Sequence, residues 1–222
     1  MKIEVQGIAK SFRRHTVLRD VSFAAEAGQC IGILGSNGCG KSTLLSILAG
    51  IQFADQGSFL FQGNDLFRYP QEWRKTVGYV PQGTPLMEEL TARDNLRLWY
   101  TAAEMQSSLA NGVLAMLGIH EFLDVTVSKM SGGMKKRLSI GCAVAKNPSV
   151  LLLDEPMAAL DIVCKQRINT YLQERKRHGD ILVLVTHDVM EMQLCDTWYI
   201  LKDGVLIPFT YDGDIDKLAA SL

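Results

Sequence analysis

The chain has no C-x-x-C pair. Its five cysteines, Cys30, Cys39, Cys142, Cys164 and Cys195, are odd in number and scattered. That excludes a paired-cysteine zinc site and a disulfide framework, and it predicts a reducing cytosol. No apolar run approaches the length that crosses a bilayer, so any membrane role is expected to come through another chain. Met1-Lys2-Ile3-Glu4-Val5 alternates like a strand and lacks an apolar signal core. Net charge is nearly absent too: 23 basic residues face 24 acidic ones, for a balance of −1. Such a surface carries no electrostatic footprint for nucleic acid or an anionic membrane. Internal repeats and low-complexity stretches are also missing. What remains is 222 residues, 47% of them apolar, enough to bury one large α/β core.

The first third reads as strand-rich. Lys2–Val5, Val21–Ala25, Cys30–Leu34 and Gly57–Phe61 are short runs punctuated by glycine and charge. Residues 41–49 read as a helix with Leu44, Leu45 and Leu48 on one face and Gly50 at its C-terminal cap. Thr76–Val80 reads as a strand that Pro81 stops. After Pro85 the pattern from Thr91 to Leu123 turns helical, with Thr91 as N-cap and Asp94 imitating a capping box. This predicts a helical subdomain, about residues 86–134, inserted into a single domain spanning 1–222. Ser131 caps a further helix running to about Ala145. Val150–Leu153 and Ile181–Val185 are continuous apolar runs, expected to be buried on both faces of a sheet. Asp203-Gly204 predicts a hairpin between Trp198–Lys202 and Val205–Ile207, leaving residues 208–222 as a short tail.

Chemistry concentrates first at Gly35-Ser36-Asn37-Gly38-Cys39-Gly40-Lys41-Ser42-Thr43, which follows the apolar run Cys30–Leu34 and precedes a helix. This is the P-loop pattern in the strand–loop–helix context it needs. Gly35, Gly38 and Gly40 allow a tight turn whose N–H groups face an anion, and the helix start adds its positive end. Lys41 would bridge the β- and γ-phosphates, and the Ser42 hydroxyl would ligate Mg²⁺. The second site is Asp154-Glu155 at the end of the strand Val150–Leu153. Ligands of open α/β sheets gather at the carboxyl ends of strands. Asp154 is therefore placed to hold Mg²⁺, and Glu155 to deprotonate a water. The third is Ser131-Gly132-Gly133, a serine and two glycines opening a helix. A capped helix start explains the serine but not the glycines, which cost stability unless something approaches the backbone closely. The Lys135-Lys136-Arg137 trio that follows reads as a solvated helix face.

These motifs, in this order, together with Gln82 after a strand and His187 past another, make the chain resemble the ATP-binding cassette family, as the nucleotide-binding subunit of an ABC transporter. The resemblance covers roughly residues 1–207. It implies a P-loop NTPase core of RecA-like α/β type, with an N-terminal antiparallel β subdomain and an inserted helical subdomain. It implies that Phe12 stacks on adenine, that Gln82 senses Mg²⁺ and the attacking water, and that Ser131, Gly132 and Gly133 meet the γ-phosphate bound to a second subunit. Ala159-Leu160-Asp161 resembles the loop crossing that interface, and His187 would hold the γ-phosphate. Ser36, Met130, Met134 and Met157 depart from the commonest family residues without removing a phosphate donor, a metal ligand or the base.

The resulting expectation is an ATP- and Mg²⁺-dependent ATPase that dimerises around ATP, as a homodimer or heterodimer. It would lie on the cytoplasmic face of the cell membrane and power transport through a separate membrane permease. The Ser-Gly-Gly-Met segment with its basic residues resembles exporter cassettes. No nucleic-acid partner is expected. The alternative is a soluble cassette ATPase of a non-transport system such as iron–sulfur cluster assembly.

Overall fold

A computed structural model describes residues 1–186 and 189–210. Ten strands form one sheet: β1 (Lys2–Phe12), β2 (His15–Glu26), β3 (Cys30–Leu34), β4 (Gln56–Phe61), β5 (Asn64–Asp65), β6 (Val77–Val80), β7 (Val150–Asp154), β8 (Ile181–Val185), β9 (Thr197–Lys202) and β10 (Val205–Phe209). Their order is β5-β4-β1-β2-β10-β9-β3-β8-β7-β6. The end built from β5, β4, β1 and β2 is antiparallel. At the other end β9, β3, β8, β7 and β6 are parallel. The expected pairing of an antiparallel β layer with a parallel α/β core is what the chain adopts.

Alternation along β7 and β8 explains why those strands are continuously apolar. Leu151, Leu153, Leu182 and Leu184 enter a core shared with the helical segments on one side of the sheet. Val150, Leu152, Ile181, Val183 and Val185 enter a second core on the other side, with Leu44, Leu45, Ile47 and Leu48 of α1 (Lys41–Leu48). Both faces of the parallel sheet are therefore covered, as parallel sheets require.

Several boundaries differ from the sequence reading. β1 runs on to Phe12 instead of ending at Val5, because register shifts between Val5 and Ser11 carry the pairing through a stretch with no clean alternation. β10 continues past Ile207 to Phe209. Thr76 ends a helix, α2 (Pro70–Thr76), that was not anticipated. The segment from Thr91 is three helices, α3 (Ala92–Arg97), α4 (Ala102–Asn111) and α5 (Val113–Met116). Thr91 caps α3, accepting from the Asp94 N–H at 3.2 Å. Thr101 caps α4 in a complete capping box with Glu104, which stops α3 and α4 from merging. α6 (Gly132–Ala143) ends two residues early, and α7 (Ile162–Arg177) and α8 (Val189–Met192) follow β7 and β8.

Candidate functional site

β3 delivers the chain to Gly35 at the carboxyl end of the parallel sheet, between β8 and β9. The loop then turns through Gly38 at φ 81° and Gly40 at φ 112°, and α1 begins at Lys41. Gly40 illustrates why the motif needs glycine. Its φ is one that side chains rarely adopt, and a Cβ there would stand 2.8 Å from Val17 Cγ1. Lys41 is only 7% exposed. Its ammonium donates to the carbonyls of Gly35 at 2.6 Å and Ser36 at 2.9 Å, so the lysine braces its own loop.

A cavity of about 420 Å³ opens above this loop, lined by Asn37, Gly38, Gly40, Lys41, Ser42, Thr43, Gln82, Asp154 and Glu155. The P-loop, the strand-end carboxylates and Gln82, far apart in sequence, thus share one cleft. Asp154 is 3% exposed. Burial pushes its carboxyl pKa up, a hydrogen bond with Ser42 opposes that, Glu155 adds to the rise, and Lys136 and Lys41 oppose it. The Ser42 hydroxyl and the Asp154 carboxylate form the hard oxygen pair that Mg²⁺ favours, and a divalent cation would offset the cost of the buried charge. The residues present fit that ion. Glu155 stands at φ 46°, a conformation uncommon outside glycine, held by its N–H donating to Val185 O at 2.8 Å. Gln82 Nε2 donates to Glu155 Oε2 at 3.0 Å.

Other residues singled out from sequence lie elsewhere. Ser131 caps α6, its hydroxyl accepting from the Met134 N–H at 3.3 Å. Ser131, Gly132 and Gly133 do not line the cleft. Ser131 and Gly132 are exposed, whereas Gly133 is buried and a Cβ on it would come within 2.5 Å of Cys164 Sγ. That close approach seats the start of α6 against the start of α7. Asp161 caps α7 by accepting from Cys164 N–H at 2.9 Å. Phe12 also lies outside the cleft lining, at the end of β1; the residue is 45% exposed and Lys10 Nζ lies 5.5 Å from its ring centroid. His187 lies outside the described residues.

The basic trio of α6 corrects the sequence reading. Lys136 is 4% and Arg137 7% exposed. Arg137 donates to Leu117 O at 2.8 Å and stacks over Phe122 at 4.8 Å. Lys136 donates to Pro81 O at 2.9 Å and Gln82 O at 3.0 Å. A signal was present: residues 133, 136, 137 and 140 share one helical face, so glycine and isoleucine flank the two bases on the inward side. Reading the trio as consecutive charges hid that spacing. Glu191 was missed as well. It is buried, and its Oε1 accepts from the Met157 N–H at 2.7 Å, two residues past Glu155.

A family model described as ABC transporter matches residues 18–158. The chain is 37% identical over 212 residues to the taurine import ATP-binding protein of Pseudomonas aeruginosa, covering 91% of this chain and 79% of that one. It is 31% identical to the lipopolysaccharide export system ATP-binding protein of Acidithiobacillus ferridurans, covering 92% and 88%. It is 34% identical to the Nod factor export ATP-binding protein of Bradyrhizobium diazoefficiens, covering 93% and 69%. A solved ATP-binding subunit of an ABC transporter superposes with a TM-score of 0.87 at 27% identity, over 100% of this chain and 99% of that one. A dimeric cassette in a post-hydrolysis state bound to ADP and phosphate shares the fold, with a TM-score of 0.83 at 24% identity over 96% and 100%.

Proposed function

The chain belongs to the ABC transporter family, as an ATPase cassette, and on that footing we propose that it hydrolyses Mg-ATP in a two-chain sandwich that drives a separate membrane subunit. The observation that carries this is the single cleft joining Lys41, Ser42, Asp154, Gln82 and Glu155. In this reading the P-loop N–H groups bind the phosphates, with Gly35, Ser36, Asn37, Gly38, Cys39, Gly40 and Thr43 supplying the cradle. Lys41 leaves its own carbonyls to take up phosphate charge. Ser42 and Asp154 hold Mg²⁺ with help from Gln82, and the ion, when bound, neutralises charge on the phosphate oxygens. Glu155 accepts the proton of the attacking water. Gln82 keeps that carboxylate aimed. His187, by family resemblance, supports the γ-phosphate, and Phe12 stacks on the adenine.

Exposure of Ser131 and Gly132 outside the chain's own cleft supports a role in trans. Donors on a partner's α6 would complete the cage around the γ-phosphate only when two chains close. Among the described residues no helix is long and apolar enough to cross a membrane, so translocation is assigned to a permease, with this subunit on its cytoplasmic face. Export is the direction we assign, from the Ser131–Arg137 segment. Relatives of both directions match, so transport into inverted versus right-side-out vesicles is the measurement that decides. The sandwich is tested by mixing Ser131→Arg and Lys41→Ala chains. Each alone should be nearly inactive, and the mixture should recover one complete site of two. Mixed dimers without recovery would overturn the reading.

A further inference from the structure

Lys136 is a buried ammonium that the cleft does not use. It stands on the second turn of α6, 4% exposed, and donates to the two consecutive carbonyls of Pro81 and Gln82 at 2.9 and 3.0 Å. Those carbonyls belong to the turn that projects Gln82. The Gln82 side chain then donates to Glu155 at 3.0 Å. A continuous line of hydrogen bonds therefore runs from α6, through one turn, to the carboxylate at the water-activating position. Burying an ammonium is expensive, and an apolar side chain of the same length would fill the space without that cost. Burial pushes the Lys136 pKa down, while the carboxylates of Asp154, Glu191 and Glu155 push it back up. The charge is kept where three acidic groups favour it and two carbonyl dipoles receive it.

We propose that Lys136 is a positioning residue for hydrolysis: it holds the Pro81–Gln82 backbone so that Gln82 aims Glu155, which ties the pose of Glu155 to the position of α6. The proposal rests on Glu155 being the base. The same rigid helix begins with Ser131 and Gly132, and its start is seated on α7 through the close contact of Gly133 with Cys164. A displacement of α6 is thus transmitted through two hydrogen bonds of the Lys136 ammonium to the turn beside Glu155. A lysine serving only as a strut would stabilise the fold without affecting the aim of Glu155.

The test uses the full chain with Lys136→Met, Lys136→Gln and Lys136→Arg, each alone and in a Gln82→Ala background. Lys136→Met is expected to lower kcat by roughly 10- to 100-fold, the scale of a misplaced catalytic group, while KM for MgATP stays nearly unchanged. Lys136→Arg should keep most of the rate. In the Gln82→Ala background, Lys136→Met should cost nothing further, because its effect passes through Gln82. Hydrogen exchange at Gln82, Gly83 and Thr84 should speed up in Lys136→Met, and Lys136→Gln, whose shorter amide keeps a donor, should show a smaller change in both rate and exchange and reports the direction of the effect if the Met variant folds poorly. Wild-type kcat in Lys136→Met, multiplicative losses in the double variant, or unchanged exchange at 82–84 would each overturn the proposal. A wild-type chain that does not hydrolyse ATP would overturn the reading of Glu155 instead, and the exchange measurement would still decide whether Lys136 holds the turn.

Discussion

Alkylation by iodoacetamide at pH 8 should reach Cys39 before any other cysteine and inactivate the ATPase as it does so. The order follows from the surroundings of each thiol. Burial pushes the Cys142 pKa up to about 12. At pH 8 about one Cys142 in 10⁴ is then thiolate, roughly 10³-fold below an unperturbed thiol, and the thiolate is the reactive form. Burial, reinforced by the neighbouring Cys195 sulfur, holds Cys30 well above its ordinary value. Burial and the Asp161 carboxylate raise Cys164. That leaves the two half-buried thiols, Cys39 and Cys195. The Cys195 sulfur is engaged, 3.4 Å from Cys30 Sγ and 3.5 Å from Glu191 O. Cys39 lies in the P-loop, its sulfur 4.0 Å from Lys41 Nζ and packed beneath Gly35. An adduct there has to displace Gly35, so one modification per chain should abolish turnover. Peptide mapping against residual activity is the assay. MgATP should protect, and Cys39→Ala, which keeps the backbone donor, should hydrolyse ATP and resist the reagent. Mapping that finds Cys195 or another cysteine modified first would refute the argument, as would undiminished sensitivity in Cys39→Ala.

Glu155→Gln keeps an acceptor for Gln82 but cannot take a proton. Turnover should fall by 10²–10⁴ while MgATP still binds, and a nucleotide-bound dimer should accumulate on size exclusion; near-normal hydrolysis would remove Glu155 from the role of base. Asp154→Asn should stabilise the nucleotide-free fold near pH 7 while losing Mg²⁺-dependent activity. Its carboxyl pKa is raised in the folded state, so the ionised form destabilises the fold above the usual carboxylate range, and the variant's advantage in thermal unfolding should vanish as pH falls below that range. Thr101→Ala removes the side-chain half of the capping box of α4, in which the Thr101 hydroxyl accepts from the Glu104 N–H at 3.3 Å. It should cost about 1 kcal/mol in urea unfolding, which Thr101→Ser should largely restore, with kcat unaltered.

The parts of the site that sequence exposed are those in which one short segment carries its own physical requirement. Gly40 must adopt φ 112° beside Val17, and glycine meets that need visibly. β7 and β8 are buried on both faces, so their runs are unbroken. Legibility failed where a role depends on segments that meet only after folding. Lys136 looks like a surface charge until Pro81 and Gln82 arrive with their carbonyls. Glu191 gains its meaning from the Met157 N–H, 34 positions earlier. β1 outruns its sequence signal for a local reason: Gly7 at φ 61° and the shifts around Ile8 break the alternation that defines a strand in sequence, though pairing with β2 persists. α2 has little sequence signal because its Pro70 start follows Tyr69, which supplies no side-chain cap.

The position of β3 has a consequence for how the protein is made. The strand that leads into the phosphate loop leaves the ribosome well before its neighbours on either side, β8 and β9, which lie at residues 181–185 and 197–202. At about 5–20 residues per second, a nascent P-loop waits on the order of ten seconds before either flank of its sheet exists. During that interval Cys30–Leu34 is an unpaired, wholly apolar strand, the kind of segment that aggregates or recruits a chaperone. The antiparallel β1–β2 hairpin, complete by Glu26, can form at once. Nucleotide binding should therefore be a late event in synthesis, absent from ribosome-bound chains that stop before β8, although the whole phosphate motif has long since been translated.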